Sequence, residues 1–102
     1  MSTKSKLLEG AKRAEVLRSL QGWQECTGRD AIRRSFLFRN FRSAFDFMAH
    51  VAIFADQKNH HPEWCNTYNK VDVTLSTHSA GGVTEKDVEL ATFMDDTAKR
   101  YK

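Results

Sequence analysis

Trp64-Cys65-Asn66-Thr67-Tyr68-Asn69-Lys70-Val71-Asp72-Val73-Thr74-Leu75-Ser76-Thr77 is the stretch whose reading decides the fold. Val71, Val73, Leu75 and Thr77 alternate with Asp72, Thr74 and Ser76, the period of a half-buried strand. Trp64 to Tyr68 is a second, shorter run, and Asn69-Lys70 between them supplies turn chemistry. The spacing therefore predicts a β-hairpin with one apolar face. Upstream, residues 31–38 alternate in the same way, with Ile32, Arg34, Phe36 and Phe38 on one face and Arg33 and Ser35 on the other. Thr27-Gly28-Arg29-Asp30 makes a turn between that strand and the short segment 23–26, giving a second hairpin.

Helices fill the intervals. Residues 5–20 carry Leu7, Leu8, Ala11, Ala14, Val16, Leu17 and Leu20 at helical spacing, and Gly22 stops the run. Asn40 is a good N-cap for a long helix, 40–58, with Phe41, Ala44, Phe45, Met48, Val51, Ala52 and Ala55 as its stripe. Phe41, Phe45 and Met48 are expected to pack on the sheet, and Phe47 and Phe54 to form a second edge that another subunit covers. Gly81-Gly82 marks a loop, and Thr84-Glu85-Lys86-Asp87 reads as a capping-box start for a final helix. The order is α-β-β-α-β-β-α. Two hairpins without a βαβ rhythm give an α+β fold: a four-stranded antiparallel sheet with three helices on one face.

Composition bounds the function. At 102 residues the chain is expected to be one domain, with residues 1–4 a flexible N-terminus. Seven Phe and two Trp in so short a chain suggest aromatic surface completed by a partner subunit. Sixteen basic against thirteen acidic residues leave a net charge of only +3, mixed along the chain. The Arg29, Arg33, Arg34, Arg39 and Arg42 cluster is interrupted by Asp30 and reads as a solvated face, so no direct nucleic-acid partner is expected. No run approaches a membrane span, and the N-terminus lacks a secretory signal. Cys26 and Cys65 fit neither a redox nor a zinc spacing and are read as reduced thiols.

The chemistry gathers at element ends. His60 and His61 precede Pro62 after the long helix, and His78 closes the last strand. Imidazoles suit proton transfer near neutral pH. Pro62 disfavours helix at His61, so the chain must turn there. Trp64 and Tyr68 offer a flat surface for a flat ring. The alternatives are a helix-dipole role for His60 and His61, or a metal site joining His60 or His61, His78 and a carboxylate or Cys65; no recognised zinc spacing supports the latter. His50 reads as structural. Asp87 either completes the capping box or points toward His78.

Asp56, His60, His61, Pro62, Tyr68, His78 and Asp87, with the flanks Gly28-Arg29-Asp30-Ala31-Ile32, Phe41-Arg42-Ser43-Ala44-Phe45 and Val83-Thr84-Glu85-Lys86-Asp87, form a long gapped pattern. It resembles the pterin-4a-carbinolamine dehydratases, also known as dimerization cofactors of a hepatocyte homeodomain transcription factor, over residues 22–95. Only the first twenty residues look free of it. The resemblance implies dehydration of 4a-hydroxytetrahydrobiopterin to quinonoid dihydropterin in tetrahydrobiopterin recycling, with no metal or redox cofactor. It assigns general acid and base to His60 and His78, and pterin binding and orientation to His61. Asp56, Asn59, Trp64, Ser76, Thr77, Lys86 and Asp87 would surround the substrate. Asn59 and Lys86 depart from residues often found there, which bears on affinity more than on the reaction. The resemblance further implies a cytoplasmic homotetramer, a dimer of dimers, and a second, nuclear role as a coactivator binding a homeodomain factor through helix 40–58. A purely non-enzymatic interaction module and a zinc-dependent hydrolase are the competing readings.

Overall fold

The computed structural model describes residues 6–102; the expected flexible segment at 1–4 lies outside the described residues. The order is α1 (Gly10–Ser19), β1 (Gln24–Glu25), β2 (Ile32–Leu37), α2 (Phe41–Gln57), β3 (Glu63–Thr67), β4 (Lys70–Leu75), a 3-10 turn (His78–Ala80) and α3 (Glu85–Tyr101). The four strands form one antiparallel sheet in the order β1-β2-β4-β3, so both hairpins survive and β2 pairs with β4 in the middle. Ile32, Phe36, Val71, Val73 and Leu75 face the helices and are buried. Glu25 sits opposite Ile32, and its carboxylate receives Arg13 of α1, which sets α1 on that same side. The other side carries Arg33, Ser35, Cys65 and Asp72, with Arg33, Ser35 and Cys65 exposed.

Local chemistry sets the boundaries. The Asn40 side chain accepts the Ser43 amide at 2.9 Å and starts α2. The helix ends in a Schellman arrangement, with the Asn59 amide donating to Asp56 O at 3.1 Å and the His60 amide to Ala55 O at 3.0 Å. Asn59 holds φ +51°, a left-handed conformation that Asn tolerates better than most residues. The β3–β4 turn falls on Tyr68-Asn69, one residue earlier than the sequence suggested, with Tyr68 at φ +49°. Asn66 fastens it by donating to the Tyr68 and Lys70 carbonyls.

Three expectations change. The first helix begins at Gly10, not residue 5, because Leu7 and Leu8 are drawn into extended pairing: Leu7 bridges Thr84, and the Leu8 amide donates to Val83 O at 2.9 Å. The segment from Leu7 to Leu20 is thus tied into the fold, and Leu8 and Leu20 join the core. β4 stops at Leu75, so His78 heads a 3-10 turn instead of closing a strand; Ser76 and Thr77 bond elsewhere.

The third change concerns α2, whose two apolar edges are exchanged. Phe47 is fully buried against Phe36 and Phe38, with ring centroids 5.0 and 4.9 Å away, and Phe54 stacks on Phe93 of α3 at 3.9 Å. Phe41 and Phe45 face solvent instead. Phe47→Ala is therefore expected to cost about 3–5 kcal/mol, a large part of the roughly 5–15 kcal/mol that holds a typical domain folded. Chemical denaturation would show this as a lower midpoint at unchanged slope; a midpoint within experimental error of wild type would contradict this packing.

Candidate active site

Four segments position the candidate residues. The end of α2 turns at Asn59 and directs His60 inward, and Pro62 carries the chain straight into β3. The loop after β4 holds Ser76, Thr77 and His78, and the first turn of α3 supplies Asp87. The end of α2, the loop and the first turn of α3 meet at the Asp87 carboxylate, which is fully buried. Its Oδ2 accepts the Thr84 amide at 2.9 Å and the Thr77 hydroxyl at 2.8 Å. The other oxygen, Oδ1, lies 2.6 Å from His60 Nε2, a contact in which an ionised carboxylate accepts and Nε2–H donates. This contact fixes the His60 ring, and with Nε2–H as the donor the free lone pair is on Nδ1. Thr84 Oγ1 lies 2.6 Å from Thr77 Oγ1 and accepts the Lys86 amide, closing the network. Asp87 thus completes the capping box and also joins α2, the His78 loop and α3.

The histidines do not share one cavity. His78 is exposed and lines a polar cleft of about 240 Å³ with Arg29, Asp30, Glu63, Ser76 and Gly81. His61 is exposed, 3.4 Å from the Asp56 carboxylate, and lines a more apolar cleft of about 580 Å³ with Ala52, Ile53, Pro62 and Trp64. His60 lies in the network connecting the α2 end to the His78 loop. The Ser76 hydroxyl donates to Asp30 O at 2.9 Å and the Thr77 hydroxyl to Asp87, so both hydroxyls serve the loop's own structure. Asn59 and Lys86 are exposed. His50, expected to be structural, meets the Tyr101 hydroxyl at 3.1 Å and the edge of Phe93. Among the described residues no three of His, Cys, Asp or Glu are grouped to hold a metal ion, and no helix is long and apolar enough to cross a membrane.

Reading the sequence for reactive side chains passed over Arg29, Asp30 and Glu63. Arg29 grips Glu63 with two bonds, 2.9 and 2.6 Å, and both residues line the His78 cleft. Hydrogen bonding from Arg29, and its charge, hold the Glu63 carboxyl below the usual carboxylate range. The signal available in the sequence was Gly28-Arg29-Asp30, which reads only as a turn until the sheet order brings it beside the His78 loop.

Fold and site together define a small α+β protein in which a buried carboxylate orients one histidine and a neighbouring loop presents another. The comparisons with known proteins narrow that class. The model of the pterin 4 alpha carbinolamine dehydratase family matches residues 6–97, and the chain belongs to that family. A Bradyrhizobium protein named as a pterin-4-alpha-carbinolamine dehydratase is 58% identical over 91 residues, 89% of this chain and 92% of its own length. A Burkholderia pseudomallei protein of the same name is 54% identical over 95 residues, covering 93% and 94%. The crystal structure of a transcriptional coactivator/pterin dehydratase from Brucella melitensis superposes with a TM-score of 0.86 at 53% identity, covering 91% of this chain and 98% of that one. A pterin dehydratase-like RuBisCO assembly factor of the alpha-carboxysome shares the fold, with a TM-score of 0.66 at 20% identity, over 76% of this chain and 90% of that one.

Proposed function

We propose that this chain is a hydro-lyase that dehydrates 4a-hydroxytetrahydrobiopterin to quinonoid dihydropterin in tetrahydrobiopterin recycling, with His60 and His78 as the acid–base pair. The observation that carries the reading is the Asp87 network, which holds His60 by Nε2 and, through Thr77, anchors the residue next to His78. Elimination needs one group to protonate the departing 4a-hydroxyl and another to take a ring N–H proton as the C=N bond forms. Two histidines, one oriented by a buried carboxylate and one on an exposed loop, suit those tasks. His61, beside Trp64 and Pro62, offers a flat apolar wall and a polar edge for orienting a pterin. The two free thiols are in keeping with a reducing cytoplasmic compartment. The direct test follows the decay of freshly made 4a-hydroxytetrahydropterin with and without the protein. Acceleration that saturates with substrate is expected, and a decay rate independent of protein would remove the reading.

The proposal includes a homotetramer, a dimer of dimers. Phe41 and Phe45 (49% and 52% exposed) and Ile53 (62%) leave apolar surface along α2, with the Phe41 and Phe45 rings 5.8 Å apart. Such a stripe commonly marks an interface. Ala52 and Ile53 also line the His61 cleft, so a copy seated on α2 would wall it. Phe45→Asp is expected to weaken association by about 2 kcal/mol or more, roughly thirtyfold. Sedimentation velocity would show a shift to smaller species, and an unchanged mass at low micromolar concentration would exclude this face. The coactivator reading uses the same surface: the dimerization region of a homeodomain factor would dock along α2, and the name of the Brucella melitensis relative favours keeping it. Binding of such a region that Phe45→Asp leaves intact would place that role elsewhere.

A further inference from the structure

His78 stands on a loop, outside the ladder of β4, with its side chain in solvent. Such a residue is placed only as well as its loop is. Thr77 ties one side of the loop to Asp87. On the other side, beside the Thr77–Gly82 backbone pair and the Leu8 amide on Val83 O, the loop is held by Asp30, from the β1–β2 turn. The Asp30 carbonyl accepts the Ser76 hydroxyl at 2.9 Å, and its Oδ1 accepts the Val83 amide at 3.3 Å. The two contacts bracket the loop, one on each side of His78. Gly82 presses so close that a Cβ built there would collide with Asp30 Oδ2. Asp30 is itself clamped, because Arg13 pairs with its Oδ1 at 2.8 Å while donating to Leu8 O, and the Leu8 amide bonds Val83 O. The N-terminal segment, α1, the β1–β2 turn and the end of the His78 loop thus close into one ring of contacts.

We propose that Asp30 is a positioning residue for the reaction, holding the 76–83 loop so that His78 meets the substrate; its catalytic half rests on the dehydratase reading above. Misplacing a proton-transfer group by about 1 Å costs on the order of a hundredfold in rate, whereas substrate held mainly by other surfaces keeps its affinity. Asp30→Ala is therefore expected to lower kcat by about 10–100-fold with KM changed less than about threefold. Asp30→Asn keeps an oxygen toward the Val83 amide and should recover much of the rate. Hydrogen exchange gives a readout independent of turnover: the Thr77 and Val83 amides should exchange faster in Asp30→Ala, while those in the middle of α2 and β2 stay protected.

Gly82→Ala approaches from the other side. Its methyl group collides with the Asp30 carboxylate and, less closely, with Leu7 Cδ2, and truncating Asp30 removes the closer of the two clashes. The Asp30→Ala, Gly82→Ala double variant should then be no slower than Gly82→Ala alone, a non-additive cycle. Unchanged kcat and exchange in Asp30→Ala, additive effects in the cycle, or faster exchange spread evenly over the whole chain would each overturn the proposal. If wild type fails to accelerate dehydration, the dehydratase reading fails. Exchange rates and a cycle in thermal midpoints then still decide whether Asp30 holds the loop.

Discussion

Asp87→Asn is expected to lower the rate of pterin dehydration by about 10²–10⁴-fold while leaving the fold close to wild type. The carboxylate gives Oδ2 to the Thr84 amide and the Thr77 hydroxyl and Oδ1 to His60 Nε2. An asparagine of the same shape can keep its oxygen toward the two donors on the α3 side, but then presents an NH2 group to His60. The imidazole must carry its proton on Nδ1 to accept that hydrogen bond, which is the wrong tautomer for the proton transfer proposed for His60. Asp87→Ala goes further. It strands the buried Thr84 amide and His60 and leaves the Thr77 hydroxyl only Thr84 Oγ1 as partner, and is expected to cost about 3–5 kcal/mol of stability. Thermal midpoints and dehydration rates measured together on the two variants separate the roles. An Asn variant with wild-type kcat would show that Asp87 only caps α3.

What the sequence revealed, and what it hid, divides by the range of the interactions. Asn40 before α2, Thr84 and Asp87 at the start of α3, and the alternation Val71, Val73, Leu75 are local patterns, and each element formed where its pattern lies. α2 is different. Phe41, Phe45 and Met48 recur at helical spacing, and so do Ala44, Phe47, Val51 and Ala55. The period shows that a helix is amphipathic but cannot choose between two apolar edges. The choice is made by Phe36 and Phe38 on β2, which receive Phe47. The start of the N-terminal helix shifted for the same reason in reverse: Leu7 and Leu8 fit its stripe, yet residues 83 and 84, far along the chain, offer them backbone partners. In the candidate site, the His60-His61-Pro62 corner and His78 stand out by residue type. The part played by Asp30 does not, because an Asp in a turn has an adequate local reason to be there.

Replacing His60 and His78 together by Ala is expected to bring dehydration close to the uncatalysed rate, while circular dichroism stays that of the folded protein. The two positions differ in what else they do. His78 is exposed, and none of the loop's hydrogen bonds comes from its ring, so His78→Ala should change stability by no more than about 0.5 kcal/mol. His60 is largely buried, with 11% of its side chain exposed, and its loss leaves Asp87 with two donors in place of three. His60→Ala should therefore cost about 1–3 kcal/mol, a loss a folded domain can absorb. In rate, each single substitution removes one member of the proposed acid–base pair and should cost about 10²–10⁴-fold. If the two imidazoles act as a unit, the double variant will be little slower than the slower single one. Fully multiplicative losses would instead assign them to separate steps. A double variant that still dehydrates the pterin at the wild-type rate would move the chemistry away from both, and His61, with Asp56 beside it in the other cleft, would be the next histidine to test.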